Sequence, residues 1–536
     1  MWIFRDGKKA VSTRKSIAEL KKSIRDASAG GRESVLDALI SAGQLEAALA
    51  DYESSSASTI AVVTDTLARC FLGDHDLHYS TKRLVAELGQ PPLPAEIAIS
   101  PPEGFAFYAL SPLDFAAGLR LPVSRSWAVI GIRSIGTTLS ALASAVLKRA
   151  GARVERITVR PTGHPFDRVT RLSPGQQQWV RGHEDQAKFL IVDEGPGMSG
   201  SSFLSVAEAL ERQGVPAERI QLAGSRDPDL DALRAPHAAR RWRRYNWQRV
   251  TSQVHDRFRE HEFFGADQWR ARSFGENDWP SCWTQMERLK FLAPGGDTLY
   301  KFEGFGGFGR EVRERSQRLA ETGFGCPVEN AGDGMSAYRY VEGRPLQVAD
   351  LTHEVLDRIA DYCAHRREFV AAEPVPQQLP EMVAFNLEQE IGESVPFDLD
   401  LLFCDRPIVA DGQMHPHEWL RAKDGRILKT DASIHGDDHF FPGPTDVAWD
   451  LAGAIVEWRM ESDAADRLLR KYKVLAGDDA ARRLPAYLLA YSVFRMGYCK
   501  MAAEAEKGSA EATRLESSYR YYRASVEKQL ASAAAR

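Results

Sequence analysis

Cysteine is scarce in this chain of 536 residues: six are present, at 70, 282, 326, 363, 404 and 499, and no two form a CxxC pair. That scatter excludes a zinc ribbon and a disulfide framework and predicts reduced thiols in a cytoplasmic protein. No apolar run reaches the roughly 18 residues that a membrane-spanning helix needs, so no membrane partner is expected. Lys8, Lys9, Arg14, Lys15, Lys21, Lys22 and Arg25 crowd the start of the chain. No apolar stretch follows them, which argues against a secretory signal. A large excess of one charge is also missing. The formal net charge of −5 gives no global pull towards nucleic acid or an acidic membrane surface, and nucleic acid is not an expected partner. There is no internal repeat and no long low-complexity segment.

What is present is an ordinary globular composition, 43% hydrophobic and 27% charged, spread over a chain too long for one core. Length predicts roughly two to four domains. Residues 14–72 carry apolar residues at helical spacing, with a small polar break at Ser54–Ser58. A Pro-rich connection, Gly89–Pro102, precedes a predicted strand at Phe105–Leu110. Strands and helices then alternate: Trp127–Ile132, Leu139–Ala150, Arg153–Val159, Phe189–Val192, Val206–Gln213, Ile220–Gly224. This alternation predicts a parallel sheet covered on both faces, with ligands beyond the C-terminal strand ends. Arg240, Arg241, Arg243 and Arg244 interleave with Trp242, Tyr245 and Trp247. The favoured reading is a solvated interdomain helix with packed tryptophans rather than a nucleic-acid grip. From residue 286 the pattern changes to hairpins, and after 350 to helices, with a second hairpin at Asp424-Gly425 and a tyrosine-rich helical stretch over 484–531.

The most informative segment is 189–203. Four apolar residues make a buried strand, and Asp193 and Glu194 stand at its end. A loop containing Gly195, Gly197, Ser199, Gly200, Ser201 and Ser202 then opens a helix. Small residues admit a phosphate to the backbone, and serine hydroxyls with helix-start N–H groups hold it. The layout resembles the PRPP-binding signature of type I phosphoribosyltransferases, with Glu194 where aspartate is commoner. The resemblance covers about 95–230. It implies that Asp193 and Glu194 hold the ribose hydroxyls and that Gly197 and Ser199–Ser202 hold the 5′-phosphate. It also implies a pyrophosphate loop at 131–138. There Arg133 meets pyrophosphate, and Ser134, Thr137 and Thr138 donate hydrogen bonds. A plain strand–helix turn with Thr137 or Thr138 as N-cap is the alternative. The long segment Arg160–Gln178, with Arg160, Arg168 and Arg171, corresponds to a mobile loop. The N-terminal region or 226–285 supplies an acceptor hood.

A second resemblance rests on Val341-Glu342-Gly343-Arg344-Pro345-Leu346, which is similar to the interlobe hinge of aminoglycoside phosphotransferases. It rests further on Asp411-Gly412-Gln413-Met414-His415-Pro416-His417-Glu418, which is similar to their catalytic loop. Gly412, His415 and Pro416 match that loop. Gln413 stands at the catalytic-base position and Glu418 at the metal-binding asparagine position. Asp431 ends a strand as the metal-chelating aspartate does, and Asp446–Gly453 resembles the following helix. The resemblance implies that Lys301 contacts nucleotide phosphates and pairs with Glu311 or Glu314, that Glu342 lies at the nucleotide hinge, and that Glu418 and Asp431 hold Mg2+. Lys301 reads equally as a lysine on a solvent-facing hairpin. Gly304–Gly309 formally fits GxGxxG but follows the lysine strand instead of preceding it, and reads as a flexible turn. His435, Asp437, Asp438 and His439 form either a metal site or a polar capping loop.

The fold expected is therefore α/β. A helical N-terminal region (1–94) precedes a doubly wound parallel-sheet phosphoribosyltransferase-like domain (95–230). A linker or hood (231–285) leads to a two-lobed α+β kinase-like domain (286–536). The expected function is phosphoribosyl transfer from PRPP to an unidentified small-molecule acceptor, coupled to an ATP-binding unit that phosphorylates a small molecule. Glutamine cannot take a proton from an alcohol. Gln413 thus leaves three options: a pseudokinase that senses PRPP or nucleotide, a substitute base such as Asp411 or Glu418, or a substrate that needs little base help. A hydrolase releasing ribose phosphate from PRPP is a further possibility, and homo-oligomerisation is left open.

Overall fold

A computed structural model of the chain describes residues 8–88, 93–183, 187–250, 257–266, 268–371, 378–433, 435–438 and 440–534. They form two compact units. One comprises residues 8–259 with 304–308, and the other 260–303 and the chain from 309 onward.

The first unit opens on β1 (Lys9–Ser12), which pairs antiparallel with β2 (Glu96–Ile99). Between them lie α1 (Thr13–Ala29), α2 (Arg32–Asp51), α3 (Ala57–Phe71) and α4 (Leu77–Glu87). The short α5 (Glu103–Ala106) and α6 (Pro112–Gly118) follow. The strand predicted at Phe105–Leu110 is thus corrected to a helical turn. The Phe105 and Ala106 amides both donate to the Pro102 carbonyl at 2.9 Å, and Phe105 is fully buried. A short apolar run has no period by which to distinguish the two.

The sheet is built from β3 (Ser126–Ile132), β4 (Arg153–Val159), β7 (Lys188–Val192), β8 (Ile220–Gly224) and β9 (Asn246–Arg249). Its order is β4-β3-β7-β8-β9, and every pairing is parallel. Crossovers are α7 (Ile135–Arg149), from β3 to β4, and α9 (Ser201–Glu211), from β7 to β8. Between β4 and β7 lie the hairpin of β5 (Thr162–His164) and β6 (Asp167–Val169) and then α8 (Pro174–Arg181). The helix α10 (Ala238–Trp242) leads into β9.

Both faces are covered, as buried parallel strands require. Ala128, Ile130 and Ile132 share a core with Phe203, Leu204 and Val206 of α9. On the opposite face, a Cβ at Gly131 would collide with the Gly136 carbonyl oxygen and Ser140 Oγ of α7. The absence of a side chain at 131 lets α7 start against the sheet. On that face α7 is in turn packed by α2 and α3. Arg156 of β4 is buried and pairs with Glu46 of α2 at 2.8 Å and Asp65 of α3 at 2.7 Å. The connections from β3 and β7 leave in opposite directions, so the crevice between these two strand ends is the topological switch point.

The second unit begins with an antiparallel sheet. Its strands are β10 (Glu262–Phe263), β11 (Lys290–Leu292), β12 (Thr298–Phe302), β13 (Val328–Gly332) and β14 (Met335–Arg339), in the order β10-β11-β12-β14-β13. The helix α11 (Gly306–Glu321) separates β12 from β13. A three-stranded sheet of β15 (Gly343–Pro345), β16 (Trp419–Ala422) and β17 (Ile427–Lys429) follows. The helices are α12 (His353–Arg366), α13 (Leu379–Ile391), α14 (Ala448–Glu457), α15 (Ser462–Ala476), α16 (Leu484–Ala505) and α17 (Ala510–Ala534). Their core is aromatic and fully buried at Trp449, Trp458, Tyr487 and Tyr491.

Candidate functional site

In the first unit the chemistry gathers at the switch point. β7 ends at Val192, so Asp193 and Glu194 stand at its C-terminal edge. The Glu194 carboxyl lies against the backbone of α5: a Cβ at Gly104 would sit 2.9 Å from Glu194 Oε2. Burial pushes the Asp193 carboxyl up to about 7, helped by Glu103 and opposed by the Glu194 amide, Arg160 and Arg168. Burial, then Glu103 and Asp193, push Glu194 up to about 8, against the charge of Arg226. Two half-buried carboxyls that resist ionisation side by side are suited to hydroxyl or cation ligands.

The following loop turns through Gly197 (φ +59°) and Gly200 (φ +68°). That left-handed geometry is one glycine adopts without strain, and it leads directly into α9. Ser199 Oγ and Ser201 Oγ both donate to the Pro165 carbonyl at the tip of the β5–β6 hairpin, at 2.9 and 2.8 Å. The hairpin thus lies over the loop. Ser202 follows at the second residue of α9, half-buried.

On the neighbouring strand end, Arg133 Nε lies 3.0 Å from Asp51 Oδ1 of α2. Arg160 also pairs with Asp51, at 2.5 Å, and donates to the Arg133 carbonyl at 2.9 Å. Ser134 occupies the N-cap of α7 without a side-chain capping bond. Thr137 and Thr138 are buried, and Thr138 Oγ1 packs against Gly43. The structure therefore brings Asp193, Glu194 and the loop 197–202 together with Arg160, Arg168 and Arg226, while Arg133 and Thr138 are engaged by α2 and Thr137 is buried. Glu103 and Arg226 carry no motif in the sequence and are found through the fold alone.

The second unit holds a cavity of about 310 Å³, lined among others by Trp269, Lys290, Lys301, Gln413, Glu418 and Asp431. Asp431 is paired with Lys301 and lies 3.1 Å from Lys290. Burial alone would raise its carboxyl; the two ammonium groups outweigh that and hold it well below the usual range. Lys301 also approaches Glu303 at 3.6 Å. Glu311 and Glu314 of α11 are exposed, and the buried α11 residue Arg315 donates to the Ser433 carbonyl at 3.1 Å. Glu342 is exposed and paired with Lys423.

Lys429 is wholly buried between Glu418 Oε2 (2.9 Å) and Asp411 Oδ2 (3.2 Å). Asp450 accepts the amides of Asp411 and Gly412 at 3.0 and 3.1 Å and so fixes the loop that carries Gln413. His415 Nδ1 lies 2.9 Å from Glu457 Oε2 and stacks on His417, which stacks on Trp269. His435 stands near Asp411 at 3.9 Å. Asp438 caps the Phe440 amide at 2.9 Å; His439 and the Asp437 side chain lie outside the described residues.

The Mg2+ implied for Glu418 and Asp431 can be tested on these donors. A divalent cation needs several free oxygens around it. Both carboxylates instead face lysine ammonium groups, so the donor set does not fit a divalent ion. The near charges of the Asp193–Glu194 pair are Glu103 and the guanidinium groups of Arg160, Arg168 and Arg226.

No family model matches the chain, and no match was found among curated proteins. Among solved structures, a choline/ethanolamine kinase family protein from Mesorhizobium loti is similar over 46% of this chain and 89% of that chain, with 15% identity and a TM-score of 0.33. Choline kinase LicA from Streptococcus pneumoniae is similar over 45% and 89%, with 13% identity and a TM-score of 0.32. Macrolide 2′-phosphotransferase MphH from Brachybacterium faecium is similar over 44% and 88%, with 16% identity and a TM-score of 0.30. With TM-scores below 0.5, these likenesses carry no weight for function.

Proposed function

We propose that the first unit binds PRPP and transfers its phosphoribosyl group to a small-molecule acceptor, and that the second unit is a kinase-like nucleotide-binding unit. The observation that carries the first part is the acidic pair. Asp193 and Glu194 end a central strand at the switch point, resist ionisation, and run straight into a glycine-serine loop that starts a helix. In this reading the carboxylates accept hydrogen bonds from the ribose hydroxyls. Ser199 and Ser201 turn from the Pro165 carbonyl to the 5′-phosphate, joined by the first N–H groups of α9. Arg160, Arg168 and Arg226 offset the pyrophosphate charge. When bound, Mg2+ neutralises part of the leaving group. Positive charge developing at the anomeric carbon is favoured by the adjacent carboxylates, a preorganised electrostatic effect. Pyrophosphate release from PRPP and Mg2+ tests this. Asp193→Asn with Glu194→Gln is expected to lower the rate at least 100-fold, and an undiminished rate overturns the reading.

Gln413 and the lysine-paired carboxylates favour a second reading for the second unit, a nucleotide sensor without phosphoryl transfer. A phosphorylated product formed from ATP, and lost on Asp431→Ala, would refute it. A cytoplasmic location is part of the proposal and rests on the reduced cysteines; among the described residues no helix is long and apolar enough to cross a membrane.

A further inference from the structure

Three lysines in the cavity of the second unit are nearly unexposed: Lys290 at 9%, Lys301 at 5% and Lys429 at 0%. An ammonium group so deeply placed needs opposite charge and acceptors for its hydrogens. Lys429 finds both of its carboxylates in the loop 411–418. Its Nζ reaches Asp411 Oδ2 at 3.2 Å and Glu418 Oε2 at 2.9 Å. It also donates to the Thr430 carbonyl at 3.0 Å. Three partners use all three N–H groups.

Asp411, Glu418 and His435 each offer a ligand atom, and these atoms lie within 4.8 Å of one another. That is the spacing of donors around a single cation, but the cation between the two carboxylates is Lys429. Asp431, the remaining carboxylate at this wall, is held by Lys290 and Lys301. An added divalent ion would have to displace a tethered ammonium group from Asp411, Glu418 and Asp431 alike.

We propose that Lys429 is the built-in cation of this site, standing where a divalent metal would, and that a phosphorylated ligand enters the cavity without a divalent metal. The identity of that ligand rests on the nucleotide reading above; the assignment of the cation does not.

The test is Mn2+ titration of the full chain, followed by electron paramagnetic resonance. It is made with Asp193→Asn and Glu194→Gln present so that the first unit's carboxylate pair does not contribute. With Lys429 intact, no saturable site is expected. Lys429→Met, which keeps the stem and removes the charge, is expected to gain one equivalent of bound Mn2+ and to lose it again on Glu418→Gln. Saturable Mn2+ binding with Lys429 intact that Glu418→Gln abolishes would overturn the proposal. So would a folded Lys429→Met protein that binds none. If Lys429→Met does not fold, the comparison of Lys429-intact protein with its Glu418→Gln variant still decides.

A fluorescent ATP analogue tests the ligand. Kd values agreeing within twofold in EDTA and in Mg2+ are expected, and tenfold tightening by Mg2+ contradicts metal-free entry. No binding in either condition rejects the nucleotide reading, and the Mn2+ result alone then judges the cation.

Discussion

Asp193 and Glu194 hold their protons to an unusually high pH, and this has a consequence for stability. Their folded-state values, about 7 and about 8, lie above those of an unfolded chain. Between pH 4 and 8 the folded protein therefore holds protons that the unfolded chain has released. Stability falls as pH rises through that window. Thermal midpoints measured from pH 5 to 8.5 are expected to decline, with a flatter slope in Asp193→Asn/Glu194→Gln. Lys429 is the opposite case. Burial opposes its charge, but Asp411 and Glu418 raise its pKa above that of a free lysine, so its contribution is complete at neutral pH and lost only in strong alkali. Lys429→Ala strands two buried carboxylates, a change that costs about 3–5 kcal/mol, measurable by urea denaturation. Charge pairs of this kind are invisible in sequence. Glu418 and Asp431 are legible as acids at the ends of a loop and a strand, but Lys429 becomes the partner of Glu418 only through the β16–β17 pairing, and Lys290, 141 positions before Asp431, meets it only in the fold.

At the scale of elements, the sheet of the first unit follows from the alternation of apolar strands with helices, and the site from its position after β7. Strand ends in a parallel sheet are where small residues and charges can meet without filling the core. That is why the segment 189–203 reads so directly. The occupancy of the strand end after β3 does not read directly. Arg133 looks free in sequence, yet Asp51 of α2, 82 positions earlier, takes its guanidinium. Likewise residues 246–249 gave no strand pattern, since Asn-Trp-Gln-Arg lacks apolar alternation, but they complete the sheet through backbone pairing with β8. The contact between β3 and α7 depends on Gly131. Gly131→Ala is expected to push the helix from the strand and to destabilise the protein by about 1–3 kcal/mol, as overpacking does. Gly151→Ala, at a turn with open space but positive φ, serves as the comparison at a site where strain is only in the backbone.

For the whole molecule, two units with separate cores imply two unfolding events, since two-state behaviour belongs to single domains. Scanning calorimetry is expected to resolve two transitions. PRPP with Mg2+ raises one of them by mass action, and Lys429→Ala lowers the other. A single transition moved equally by both would show that the units unfold together. The acidic pair of the first unit is the centre of the proposed chemistry. Its most direct test is calorimetric titration of the intact protein with PRPP and Mg2+ at pH 6.5, beside the Asp193→Asn/Glu194→Gln variant. Saturable binding with net proton release, absent from the variant, is the predicted result; no binding by the intact protein, or equal binding by the variant, would contradict it.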